Sequence, residues 1–143
     1  EFVSWSLGQV AGAAKGRRVR RIGLVFASVD TEEARAHERL KRLLAFVLRG
    51  AHHRPNLEMN GVGLDQGALN DAVAANNWDR ATSLISDDVV ARHAISGTPG
   101  QVRARLGDYH AAGLDEVVIA GVGNNAMLGE TLAAISNREG ASK

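Results

Sequence analysis

The segment Ile22-Gly23-Leu24-Val25-Phe26-Ala27-Ser28-Val29 constrains this chain more than any other. It is apolar at successive positions, so both faces of a strand built from it are apolar. A strand with one wet face alternates apolar and polar residues, whereas a parallel strand covered on both sides reads as a near-continuous apolar run. A second run, Glu116-Val117-Val118-Ile119-Ala120, lies near the other end. Between them the apolar period is helical. Leu40, Leu43, Leu44, Val47 and Leu48 fall at i, i+3, i+4, i+7 and i+8, one face of a helix that Gly50 ends. Short apolar strands alternating with helices predict an α/β fold with parallel strands.

The rest of the chain fills in that pattern. Phe2 to Lys15 reads as a helix stopped by Gly16, and the chain begins inside it, as an internal fragment would. Asp30 or Thr31 caps the helix after the first strand. Glu32 and Glu33 lie in its first turn, where carboxylates meet the positive end of the helix dipole. Residues 51–64 read as an irregular loop, 68–77 as a weaker helix, and Ser86-Asp87-Asp88 as the start of a short helix. Thr98-Pro99-Gly100-Gln101 combines a Thr cap, a Pro at the first helical position and a Gln three residues on, which together open a helix that Gly113 closes. A last helix spans about 126–138, and 139–143 is expected to fray.

Two strands are predicted. Two parallel strands leave two open edges and are marginal alone. Residues 1–143 therefore read as a single partial domain that needs more sheet, or a second copy in a homo-oligomer. At 143 residues the chain is also shorter than the roughly 250 of a complete (β/α)8 barrel.

Composition removes several functions. Without cysteine there is no disulfide, thiolate metal ligand or Cys nucleophile. No apolar run of about 18 residues is present to cross a membrane. No basic-then-apolar leader opens the chain, so a cytoplasmic setting is the expectation. Lys15, Arg17, Arg18, Arg20 and Arg21 form one basic stretch. Setting them aside leaves twelve basic residues against sixteen acidic, a balance of −4. One narrow patch with 4% aromatic residues is poor material for nucleic-acid binding, which uses broad positive surfaces and stacking side chains.

The candidate sites lie beyond the strand ends. Gly121-Val122-Gly123-Asn124-Asn125-Ala126 follows a strand and opens a helix, in the G-x-G-x-x-A pattern that lets backbone amides approach a phosphate. A Rossmann site also needs a further strand with an acidic residue about 20 positions on, and the sequence stops before one. The other reading of this segment is a tight turn with an Asn cap. Gly97-Thr98 is a helix cap whose amides could also meet an anion. Ser28 ends a strand and could line a pocket, while Asp30 fits a cap. His52-His53 reads as loop, since adjacent side chains diverge and no carboxylate completes a ligand set. His93 reads as a structural or surface residue. No residue is an evident general acid or base, and no metal site is predicted.

The order of these pieces resembles a known family. Gly16-Arg17-Arg18 leading into 22–29, then Asp30-Thr31-Glu32-Glu33-Ala34-Arg35, resembles the seventh strand and helix of luciferase-like monooxygenases. Ile95-Ser96-Gly97-Thr98-Pro99, then Ala112-Gly113-Leu114-Asp115-Glu116-Val117-Val118, resembles their approach to the eighth strand. The resemblance covers about Val10 to Gly123. It implies the C-terminal portion of a (β/α)8 TIM barrel, which would set His93 on the same end as Gly97. It implies F420 or FMN as cofactor, and reduction or oxygenation of a small organic substrate. On this basis Gly97, Thr98, Gly121, Gly123, Asn124 and Asn125 would contact cofactor and Ser28 substrate. The family grips cofactor mainly through earlier strands, so the isolated chain is expected to be inactive. The residues alone leave an alternative: a non-catalytic, dimeric α/β module with a phosphate-binding loop at 121–126.

Overall fold

A computed structural model describes residues 1–121 and 123–136. The order is α1 (Phe2–Ala14), β1 (Ile22–Val29), α2 (Glu33–Leu48), a 3-10 turn (Ala51–His53), α3 (Arg54–Met59), α4 (Gln66–Ala74), α5 (Trp78–Ser83) and α6 (Asp87–His93). It continues with β2 (Ala94–Gly97), α7 (Pro99–Ala111), β3 (Glu116–Ala120) and α8 (Asn125–Ser136). The fold is α/β with an all-parallel sheet, as the apolar runs predict.

The sheet has three strands in the order β2-β1-β3. β1 and β3, read from sequence as consecutive strands, are neighbours, with Ile22 opposite Glu116 and Phe26 opposite Ala120. β2 corrects the two-strand expectation. Its four residues, Ala-Ile-Ser-Gly, lie against the upper half of β1, with Phe26 opposite Ala94 and Val29 opposite Gly97. A strand this short has no legible period and merges into the cap signal that follows it. The expected loop at 51–64 holds a 3-10 turn and α3, whose Pro55 sits in the first turn, where its missing N–H costs nothing. The weak helix expected at 68–77 is α4, which ends at Ala74 before Asn76 at φ 52, and α5 at 78–83 is an additional helix that the sequence reading did not include.

Alternate residues of β1 face opposite sides of the sheet, and each side has its own core. Val25, Ala27 and Val29 pack with Ile95, Val102 of α7 and Ala134 of α8. Phe26 packs on the other side, into a cluster built on Leu40, Leu44 and Leu48 of α2 with Leu57, Leu69, Ile85, Val89 and Val90. The predicted α2 stripe is therefore the centre of the larger core. Leu43 and Val47 lie at its margin. Lower on the α2 side the sheet is bare: Ile22, Leu24 and Val118 are 52%, 65% and 41% exposed, and Leu24 and Val118 are register partners.

The basic stretch is a strand entrance. Arg20 pairs with Glu116, and Arg21 pairs with Asp115 at 3.1 Å. The Arg21 amide also donates to the Asp115 carboxylate, and the Asp115 amide to the Arg21 carbonyl. These bonds lock the starts of β1 and β3 in register.

Candidate functional site

Because all three strands are parallel, their C-terminal ends meet at one end of the molecule, where α/β folds place ligands. The loop after β1 carries Asp30, the loop after β2 carries Thr98, and the loop after β3 carries Gly121 to Asn124. The Asp30 amide donates to the Gly97 carbonyl at 3.1 Å, which ties the first two together. β1 separates Gly97 and Thr98 from Gly121 and Asn124, so the predicted cofactor residues form two groups about two strand spacings apart, roughly 10 Å.

The Thr98 group is a complete capping box. The Thr98 amide donates to Gln101 Oε1 at 2.7 Å, and the Thr98 hydroxyl accepts from the Gln101 amide at 3.5 Å. Gly97 has φ +140, and a Cβ there would lie 2.5 Å from Gln101 Oε1, so glycine is what the returning Gln101 side chain requires. With Pro99 lacking an N–H and the Thr98 amide engaged, little of this helix start is left to greet an anion. Thr98→Ala is expected to cost about 1 kcal/mol. A urea titration would show it as a lowered midpoint at unchanged slope.

The Gly121 group is built differently. β3 ends at Ala120, level with Phe26, three residues short of the end of β1. The chain leaves through Gly121 at φ +76, close against Phe26 and Leu43 of α2. Asn124 caps α8: its Oδ1 accepts from the Met127 amide at 3.0 Å and its carbonyl from Leu128 at 2.9 Å. Asn125 is the first residue of α8. Val122 lies outside the described residues, as do 137–143 with the expected fraying tail.

Asp30 does not cap α2 directly. The N-cap is Glu32, without a side-chain bond. Asp30 Oδ1 instead accepts from the Glu32 amide at 3.1 Å and from Arg35, and Oδ2 pairs with Arg39 at 2.6 Å. The Glu32 amide first, then the Arg35 hydrogen bond, lowers its pKa to about 2. Arg39 Nη1 donates to the Val29 carbonyl, so α2 is pinned to the end of β1. Arg35 also pairs with Glu32 at 3.2 Å, so the two arginines are matched by carboxylates around the same turn. Sequence reasoning passed over Arg35 and Arg39. Their i, i+4 spacing one turn into the helix after a strand was the available signal.

Asp115 at the opposite end of the sheet is also lowered to about 2, by the Arg21 side chain and then its amide. Both carboxylates have folded pKa values below the ordinary one. Their contribution to stability is therefore full above about pH 5 and is lost progressively as pH falls to about 1. Asp30→Asn is expected to be less stable than the parent at neutral pH and to approach it only near about pH 1. Urea midpoints measured across that range would show the two curves converging.

The other candidates fall elsewhere. Ser28 is at the top of β1 but only 2% exposed, beneath α2. His93 is corrected from the top end: it precedes β2, level with Val25, and borders a cavity of about 620 Å³ with Ile22, Leu24, Tyr109 and Arg105. That cavity opens beside α1 and the lower half of β1, away from the strand ends. The bare face of the sheet, with Ile22 and Leu24, forms part of its wall. His52 and His53 lie in the 3-10 turn, as loop residues. Among the described residues no group of three or more His, Asp or Glu could hold a metal ion. No helix there is long and apolar enough to cross a membrane.

Comparison with known proteins agrees with this α/β fold. Residues 6–116 match the luciferase-like monooxygenase family, and the chain belongs to it. Two relatives are 5,10-methylenetetrahydromethanopterin reductases. The one from Archaeoglobus fulgidus is 28% identical over 76% of this chain and 35% of its own length. The one from Methanopyrus kandleri is 26% identical over 64% of this chain and 26% of its own length. The chain thus spans about a third of these relatives or less. The structure of the coenzyme F420 dependent tetrahydromethanopterin reductase from Methanopyrus kandleri superposes with a TM-score of 0.77. That match covers 92% of this chain and 40% of the reductase at 22% identity, and it establishes a shared fold. The chain corresponds to part of that enzyme's barrel.

Proposed function

We propose that the complete protein is an F420-dependent oxidoreductase acting on a small organic substrate, and that this chain supplies the loops closing one side of its cofactor site. The observation that carries the reading is family membership over residues 6–116 together with reductases as the curated relatives. The choice of F420 over FMN rests on the F420 named for the structural neighbour. The cofactor would supply the hydride chemistry. This chain's share is positioning.

Gly121, Gly123, Asn124 and Asn125 are the residues we assign to the cofactor. The positive φ of Gly121 and the start of the twelve-residue α8 fit an approach to a phosphate. Gly97 and Thr98 shape the neighbouring loop through their capping box. Ser28 lies too deep in this arrangement to touch substrate without movement of α2, so we assign it to the wall behind the site. The reading keeps the cytoplasmic setting.

The bare strip of Ile22, Leu24 and Val118 supports covering of the sheet by further barrel strands of the whole protein. Leu24→Ala in the full-length protein is expected to cost about 2 kcal/mol or more if strands cover it, and close to nothing if the face is open. Thermal unfolding of that variant separates the two, and a second copy in place of strands would make its melting temperature concentration-dependent.

The function itself is tested by titrating the full-length protein with F420 and with FMN, followed by cofactor fluorescence. Saturable binding of F420, weakened tenfold or more in Gly123→Val, is the expected result. Binding of neither cofactor would sink the enzyme reading and favour the α/β binding module.

A further inference from the structure

Three buried polar atoms of the upper sheet and the helix over it, Ser28 Oγ, Ser96 Oγ and His37 Nε2, have no hydrogen-bond partner among the described residues. Ser28 and His37 are 2% and 5% exposed. Ser28 and Ser96 are register partners on adjacent parallel strands, so their hydroxyls leave the same face, about 4.8 Å apart strand to strand. That face is the one α2 covers, because Phe26, two residues before Ser28, packs into the α2 cluster. Arg39 fixes the height of α2 through its bonds to the Val29 carbonyl and Asp30. His37 lies two residues before Arg39 and is buried on this same helix. Glu33 Oε1, 3.9 Å from Nε2, is beyond hydrogen-bond length and is itself half exposed.

We infer that Ser28, Ser96 and His37 together bind one buried water molecule between α2 and the sheet. A buried hydroxyl or imidazole nitrogen with no partner costs about 1–3 kcal/mol, and this chain would hold two on neighbouring strands and a third on the helix that covers them. A buried water makes about three hydrogen bonds, and both hydroxyls and a neutral imidazole can donate to it or accept from it. Short side chains surround the position: the two serines, and Ala36 of α2, which is fully buried beside His37. The water would join β1, β2 and α2 immediately behind the Asp30 and Thr98 loops. It is thus a structural ligand of the strand-end face, and it stands whether or not the cofactor reading does.

Two measurements test it. A high-resolution crystal structure of the full-length protein should show a water about 2.7–3.2 Å from at least two of the three atoms. Ser28→Ala and Ser96→Ala should each lower the melting temperature by about 2–6 °C. The double variant should lose less than the sum, because the two serines share one water. A dry cluster has the opposite sign, since deleting an unpaired hydroxyl relieves its desolvation cost. An empty position in the density, a melting temperature that holds or rises in either variant, or a fully additive double variant would each overturn the inference.

Discussion

Gly121→Val is expected to destabilise the protein by about 2–4 kcal/mol. Any side chain at φ +76 costs about 1–3 kcal/mol in backbone strain. Its Cβ would also lie 2.7 Å from Leu43 Cδ2 and 2.9 Å from Phe26 Cδ1, inside the contact limit of two core side chains. Overpacking of this kind adds about 1–3 kcal/mol, and partial relaxation of the Leu43 rotamer keeps the total below the sum. Equilibrium urea unfolding reads the loss directly. A loss below about 1 kcal/mol would mean that the β3–α8 junction yields, and that Gly121 is not there for close approach. Gly123→Val, whose Cβ would meet only the flexible end of Met127, provides the control. It should fold nearly normally while impairing cofactor binding.

The second large effect is in the core. Leu44 is 1% exposed at the centre of the cluster on the α2 side of the sheet. Leu44→Ala should cost about 3–5 kcal/mol, lost transfer energy plus a cavity that rigid neighbours on α2, α6 and the sheet cannot close. Against a total stability of about 5–15 kcal/mol this takes away much of the margin. Circular dichroism melts should show a large drop in midpoint for Leu44→Ala and a small one for Phe46→Ala, two residues on and 52% exposed. Comparable drops would place Phe46 in an interface of the complete protein.

The sequence made some elements legible because their signals were redundant. α7 announced itself three times over, with Thr98, Pro99 and Gln101 each fixing its start. β1 and β3 were apolar on both faces, and α2 carried a full core stripe. β2 was hidden because four residues show no period and run straight into the Thr98 cap. α3 was hidden by Pro55 and Asn56, which signal loops except in a helix's first turn. At the site, Asn124 and Thr98 were readable as caps from local spacing. The roles of Arg35, Arg39 and His37 depend on which face of α2 meets the end of β1, and that is a tertiary fact. Ser28 read as a pocket residue because strand ends usually face the ligand. The packing of α2 across it is what the linear pattern omits.

β1 sits between two partners that arrive late. Its upper half waits for β2, some 68 residues downstream, and its lower half for β3, 94 residues from the Arg21–Asp115 clasp. Closing loops of that length precedes any reward from the sheet, which slows folding. The helices α2 to α6 are close in sequence and share one apolar cluster, so they are placed to condense first. The exposed edge of β1 then persists as a transient species during synthesis. Unpaired strand edges of this kind are where edge-to-edge aggregation of a folding intermediate begins.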